Sequence, residues 1–210
     1  CEKPLCNSSE EAKIILRKYA KKNVQLVINF SRRFDESFTN LKNEINSNKY
    51  GQLKAISGFY NKGFINNGSH LIDILGFLLE SIEVEWVGAP LFDFYPNDPS
   101  YPVALTAENA VVISLLPADA KDFSLFELDF IFSNKRIRML NGGMTWSFQD
   151  VCDDKNFLGY KSLTKPKILD GGYKDAFSNA LKSINNILKG SQKNIFTEEE
   201  ILKTIRLCDK

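Results

Sequence analysis

The sequence predicts an α+β domain in which helices cover one face of a mostly antiparallel sheet. Three observations carry this. Apolar residues recur at helical spacing near both ends of the chain. The middle holds strand-like segments separated by turn residues. In Phe123–Phe132, Phe126, Leu128, Phe130 and Phe132 share one face while Glu127 and Asp129 share the other, the alternation of a sheet packed on one side and wetter on the other.

Taken in order, Ser8 and Glu11 form an S-x-x-E capping box, and Ala12, Ile15, Leu16 and Tyr19 follow on one face, so a helix is expected from Ser9 to about Lys22. Val24 to Phe30 is a short apolar run rich in β-branched residues and reads as a buried strand of parallel type. Phe34, Phe38, Leu41 and Ile45 mark a second helix, closed before Gly51. Leu53–Tyr60 reads as a strand and Ser69–Leu79 as a helix with Leu71, Ile74, Leu75 and Leu78 buried. Strands are expected at 84–92, 109–117, 123–132 and 135–140, a turn at Gly142-Gly143, and irregular chain from Asp153 to Pro166. Two helices close the sequence. The first, Tyr173 to Lys189, aligns Phe177, Leu181, Ile184 and Leu188, and the second starts at a Thr197/Glu200 capping box.

The 210 residues are 43% hydrophobic and 25% charged, which supplies a core and argues against a disordered chain. A formal net charge of +1 gives no sign of a nucleic-acid partner. No apolar run reaches the roughly 18–20 residues of a membrane span, and the N-terminus is too polar for a secretory signal. Cys1, Cys6, Cys152 and Cys208 show no CxxC spacing and the chain has one histidine, so no metal site is expected and the cysteines read as free thiols of a cytoplasmic protein.

Few polar groups stand out as chemistry. Lys3 precedes Pro4, which restricts it to extended backbone; alone, this dipeptide reads as a surface loop. His70 lies at the start of a helix behind Asn66-Asn67-Gly68-Ser69, with Asp73 three residues on and on the same helical face. A carboxylate so placed can orient an imidazole, and a neutral imidazole is the commonest general base; the plainer reading is a capping loop with an incidental histidine. Ser31-Arg32-Arg33-Phe34 and Tyr60-Asn61-Lys62-Gly63 follow strands, where ligand-facing residues of α/β sheets usually sit. Arg33, Tyr60 and Lys62 are therefore candidates to hold an anionic substrate group, against the alternative of a solvated charge cluster.

Together, Glu2-Lys3-Pro4, the strand ending N-F-S-R-R-F, the K-x-x-I-x-x-x-x-x-G segment and N-G-S-H-L-I-D resemble the glucose–fructose oxidoreductase and inositol dehydrogenase (Gfo/Idh/MocA) family. The specific motifs lie in residues 1–73, and beyond residue 80 the resemblance rests on element order. It implies an enzyme that pairs a Rossmann domain binding NAD or NADP with a sheet domain binding a sugar, nucleotide sugar or cyclitol. Lys3 resembles the family's catalytic lysine, with Glu2, Lys3 and Pro4 against the cofactor, and His70 resembles the residue that exchanges a proton with the substrate hydroxyl. Asn66 stands where many members carry Asp, and an amide cannot take that proton, so His70 and Lys3 must manage it. Asp73 matches a downstream Asp that serves as structural support.

No G-x-G-x-x-G occurs, so the turn that cradles a pyrophosphate is missing from this sequence. The resemblance then implies that residues 1–30 are the C-terminal remnant of a dinucleotide-binding domain and 31–210 the substrate-binding and oligomerisation domain. Such a chain alone is expected to bind no cofactor and to be inactive, and to form a homo-oligomer through the sheet face. The alternative is a non-catalytic binding or assembly module that kept the sheet and lost the cofactor half.

Overall fold

The computed structural model describes every residue except Asn7 and Lys210. Its centre is a nine-stranded sheet of β1 (Leu53–Tyr60), β2 (Ile82–Val87), β5 (Val103–Ala107), β6 (Val111–Pro117), β7 (Phe126–Phe132), β8 (Lys135–Leu140), β9 (Thr145–Asp153), β10 (Lys161–Leu163) and β11 (Lys167–Asp170). The spatial order is β10-β9-β8-β7-β1-β6-β5-β2, with β11 also paired to β9. Central β1 runs parallel to β6 and antiparallel to β7, and the other pairings are antiparallel. β3 (Leu91–Tyr95) and β4 (Asp98–Ser100) form a separate hairpin.

Alternation decides which face is covered. Ile56, Tyr60, Ile113, Leu115, Leu128, Phe130, Ile137 and Met139 point to one side and bury against α2 (Glu36–Asn46) and α3 (Ser69–Leu78). Their neighbours Phe59, Val112, Leu116 and Ile131 stand exposed on the other side. The expected α+β architecture with one covered face is therefore present. The Phe126, Phe130 and Phe132 stripe belongs to the core, so any association through the sheet must use the opposite residues.

A second core joins α1 (Ser9–Lys21), Leu26, Ile28, Phe30, Phe34 and α5 (Glu198–Cys208) through Ala12, Leu16, Ile201, Leu202 and Ile205. Both capping boxes form at their N-termini: Ser8 Oγ accepts from Glu11 N at 3.3 Å and Thr197 Oγ1 from Glu200 N at 3.2 Å.

Several expectations are corrected. Val24–Phe30 is extended and its Leu26, Ile28 and Phe30 are buried, but it joins no sheet. A buried parallel strand needs flanking strands, and here only Cys1 lies beside it, accepting from Asn29 N at 2.8 Å and donating from its amine to Val27 O at 2.6 Å. The run at 84–92 splits into β2 and β3. β5 and β9 lack an expected counterpart, and β10 lies in the stretch read as irregular. On α4 (Ala176–Leu188) the aligned stripe faces outward: Phe177 is 66% and Leu188 76% exposed. The small residues Ala176, Ala180 and Ser183 are buried instead, which lets α4 approach the 3₁₀ turn Ser31–Phe34, where Asn179 Nδ2 donates to Phe34 O at 3.2 Å.

No helix among the described residues is long and apolar enough to cross a membrane. These placements predict opposite outcomes for two phenylalanines. Phe130→Ala should cost about 3–5 kcal/mol of unfolding free energy because it opens a cavity in the sheet core. Phe177→Ser should stay within about 0.5 kcal/mol, as surface changes do. Urea unfolding of the two variants tests both.

Candidate functional site

The site is built on the chain that leaves β1. Asn61 is buried and fixes that exit: its Nδ2 donates to Phe123 O at 2.6 Å and its Oδ1 accepts from Leu125 N at 3.1 Å. Lys62 and Gly63 then adopt φ of +67° and +86° and reverse the chain. At Gly63 a Cβ would lie 2.1 Å from Asp98 Oδ2, so the sharp turn needs glycine for space as well as for backbone freedom.

The β3–β4 hairpin clamps this loop from above. Asp93 Oδ2 accepts from Lys62 N at 2.5 Å, Ser100 Oγ accepts from Gly63 N at 3.0 Å, and Ser100 Oγ donates to Asp93 Oδ1 at 2.9 Å. Asp98 accepts from Ile65 N at 2.9 Å and Asn66 N at 2.8 Å. So restrained, Phe64–Gly68 forms a π-helical turn that runs directly into α3 and delivers His70 in its first turn.

Lys3 and His70 meet here. The Lys3 ammonium donates to both Asn66 O and Asn66 Oδ1, the latter at 3.3 Å, one turn before His70. Asn66 Nδ2 donates to Lys62 O at 3.0 Å, so the asparagine is held from both sides. Burial lowers the Lys3 pKa; Asp98 opposes the shift and Arg32 adds to it. The His70 ring lies edge-to-face with Phe30 at 5.7 Å and with Phe126 at 6.4 Å between centroids. That apolar setting lowers its pKa to about 3, and the positive charges of Arg32 and Lys3 act in the same direction. The imidazole is therefore neutral at ordinary pH and free to accept a proton.

The two adjacent arginines have separate roles. Arg33 turns inward: its Nε donates to Asp73 Oδ1 and Oδ2 at 3.1 and 3.0 Å, Nη2 to Asp73 Oδ1 at 2.9 Å, and Nη1 to Glu200 Oε2 at 2.8 Å. Thr204 Oγ1 adds a further bond to Asp73 Oδ1 at 3.1 Å. Burial alone would lower the Arg33 pKa, but the two carboxylates outweigh it and hold the guanidinium above its ordinary value. Arg33 thus serves packing rather than substrate, and Asp73 orients Arg33 rather than His70.

Arg32 takes the place expected of Arg33. Its guanidinium lies between the Phe126 ring at 4.0 Å and the Tyr173 ring at 4.5 Å, with Nε donating to Gly142 O at 3.2 Å. Its charge is felt by both His70 and Lys3, so it is the arginine of the site. Sequence places both arginines in one tetrapeptide, and only the 3₁₀ turn at Ser31–Phe34 decides which faces inward.

Of the remaining candidates, Tyr60 is fully buried, donates to Tyr101 O at 2.7 Å and accepts from Tyr101 N at 2.8 Å, so it is not available to a substrate. Burial raises its pKa. Lys62 is half-buried with its Nζ over the Phe94 ring at 5.5 Å. Glu2 is exposed and accepts from Asn29 Nδ2 at 3.0 Å, and the Lys3–Pro4 peptide bond is cis. No group of three metal-ligating side chains occurs among the described residues. A cavity of about 700 Å³ opens elsewhere, between α2 and strands β8, β9 and β11, and holds none of the residues that converge at Lys3 and His70.

No protein-family model and no curated protein sequence matches the chain. Solved structures do. A 3-ketoreductase, KijD10, from Actinomadura kijaniata, in complex with NADP and TDP-benzene, shares 13% identity at a TM-score of 0.77 over 99% of this chain and 68% of its own. A dehydrogenase (MviM) from Clostridium difficile shares 18% at 0.74, over 99% and 68%. A super-repressor mutant of Gal80p from Saccharomyces cerevisiae shares 14% at 0.77, over 99% and 68%. These neighbours are Gfo/Idh/MocA-type oxidoreductase structures, and the chain has their sheet-domain fold.

Two outcomes follow from the site. Asp73→Asn leaves Arg33 buried without its main counter-charge and should cost about 3–5 kcal/mol in a thermal or urea melt. The His70 imidazole, alone of its kind in the chain, should show no NMR titration between pH 5 and 8. Because the folded pKa is depressed to about 3, the unfolded chain takes the proton first. Stability contributed by this group should therefore fall as pH drops below about 6.5 toward 3.

Proposed function

We propose that the chain is the substrate-binding and oligomerisation part of an NAD(P)-dependent oxidoreductase acting on a secondary hydroxyl of a sugar, nucleotide sugar or cyclitol. One observation carries this: a desolvated ammonium and a neutral imidazole are brought together by the Asn66 turn. That is what alcohol oxidation asks of a protein, since the hydroxyl must lose a proton as its carbon loses a hydride. The neutral His70 accepts the hydroxyl proton, and Lys3 stabilises the charge that develops on the oxygen. Asn66 positions Lys3 and takes no proton. Arg32 extends the positive field across the cleft. When bound, NAD or NADP supplies the hydride chemistry. Glu2, Lys3 and Pro4 are the residues that would lie against it, and they suit its reacting end. The pyrophosphate has no cradle here, because no glycine-rich turn opens a helix in this sequence. Turnover on this reading requires a dinucleotide-binding region beyond these residues, with 1–30 belonging to that half and 31–210 to the substrate half, in a cytoplasmic protein. The exposed sheet residues Phe59, Val112, Leu116 and Ile131 suit self-association into a homo-oligomer.

A second reading, a non-catalytic binding or assembly module, is favoured by the likeness to Gal80p, described as a super-repressor mutant. The complete polypeptide separates the two. On the first reading it reduces or oxidises a sugar-type substrate with NAD(P), and His70→Ala lowers kcat by a factor on the order of 10²–10⁴ while cofactor affinity is unchanged. Turnover indifferent to His70→Ala removes the imidazole from the mechanism. A complete protein that binds no nicotinamide cofactor sustains the second reading.

A further inference from the structure

The β3–β4 hairpin that clamps the site loop carries aromatic side chains on its outer side. Asp93 points inward and is 4% exposed, whereas its neighbours Phe92 and Phe94 are 62% and 55% exposed and Tyr95 43%. Phe94 and Tyr95 touch edge-to-face, with centroids 4.7 Å apart. Lys62 sets its ammonium 5.5 Å above the Phe94 ring, from a backbone locked by φ of +67° and by the bond of its N–H to Asp93. Lys62 O in turn holds Asn66, which holds Lys3. The aromatic pair, Lys62 and the Lys3–His70 pair are thus fixed to one short loop.

The charges around this loop are one-sided. Among the described residues, Lys3, Arg32 and Lys62 make no ion pair. Lys3 and Arg32 donate to the uncharged acceptors of Asn66 and Gly142. The carboxylates nearest the loop, Asp93 and Asp98, are engaged by backbone N–H groups of residues 62, 65 and 66 and by Ser100. Three cations without a counter-anion suit an anionic ligand. A simple sugar acid would satisfy the charge but leave the exposed rings unused. A nucleotide uses both, because a base stacks on aromatic faces whatever its sequence of donors and acceptors.

We infer that Phe94 and Tyr95 form a base-stacking platform and Lys62 a phosphate contact for a nucleoside-diphosphate sugar whose sugar ring reaches Lys3 and His70. This rests on the reading of the site as an oxidoreductase centre and narrows its substrate class.

Binding of UDP and TDP to this chain, by isothermal titration and by NMR of the base protons, tests it without turnover. Expected are an upfield ring-current shift of the base protons and a Kd at least tenfold weaker in Phe94→Leu/Tyr95→Leu, two exposed sites at which bulk is kept and the aromatic face removed. Lys62→Gln should weaken UDP about as much as it weakens inorganic pyrophosphate, while the leucine variant leaves pyrophosphate unchanged. Failure of millimolar UDP and TDP to bind, pyrophosphate binding as tightly as UDP, or an undiminished affinity in the leucine variant each overturns the platform. His70→Ala should bind UDP as the parent does. UDP binding that persists in a complete protein devoid of oxidoreductase activity supports the platform and overturns only the reading of the reaction.

Discussion

The two cores of the molecule are joined by one buried ion pair. Arg33 comes from the 3₁₀ turn that follows the extended 24–30 segment, Asp73 from α3 on the sheet, and Glu200 and Thr204 from α5. Bidentate geometry satisfies both charged groups away from water, which an isolated charge there could not tolerate. The pair fixes α3 against the small core, and with it the distance of His70 from Phe30. The perturbed imidazole is a consequence, since it owes its neutral state to packing that this pair holds in place.

The site itself depends on a second device of the same kind. Backbone N–H groups of residues 62–66 cannot pair within a helix or strand, because the chain is reversing. Asp93, Asp98 and Ser100 satisfy them from the β3–β4 hairpin. The hairpin packs little of its own surface and is positioned by these bonds. It therefore links the geometry of Asn66, and so of Lys3, to whatever occupies its outer side. Rigid support around Lys3 and His70 is what a proton-managing pair requires.

The fold agrees with oxidoreductase structures at 13–18% identity, a level at which architecture persists while side chains diverge. Whether a chain of this fold performs chemistry is decided by its site and not by its sheet. Here the retained pair Lys3 and His70 speaks for chemistry, and Asn66 modifies it by replacing a proton acceptor with a fixed hydrogen-bonding bracket.

Local pattern determined the helices and the central strands. Capping boxes at Ser8 and Thr197, the alternation of 126–132 and the spacing of Leu71 to Leu78 are properties of short segments, and they hold whatever the chain packs against. The motif residues Lys3, Asn66 and His70 were legible for the same reason, as neighbours within short stretches. Tertiary structure alone decided the rest. Arg32 and Arg33 are equivalent in sequence, but a 3₁₀ turn rotates one into a carboxylate and the other between two rings. The aligned apolar side chains of α4 and the smaller ones beside them compete for the interior, and close approach to the Ser31–Phe34 turn favours the smaller. Residues 24–30 carry a strand's pattern, yet a strand is a relation between segments, and a ladder forms only where a partner lies alongside.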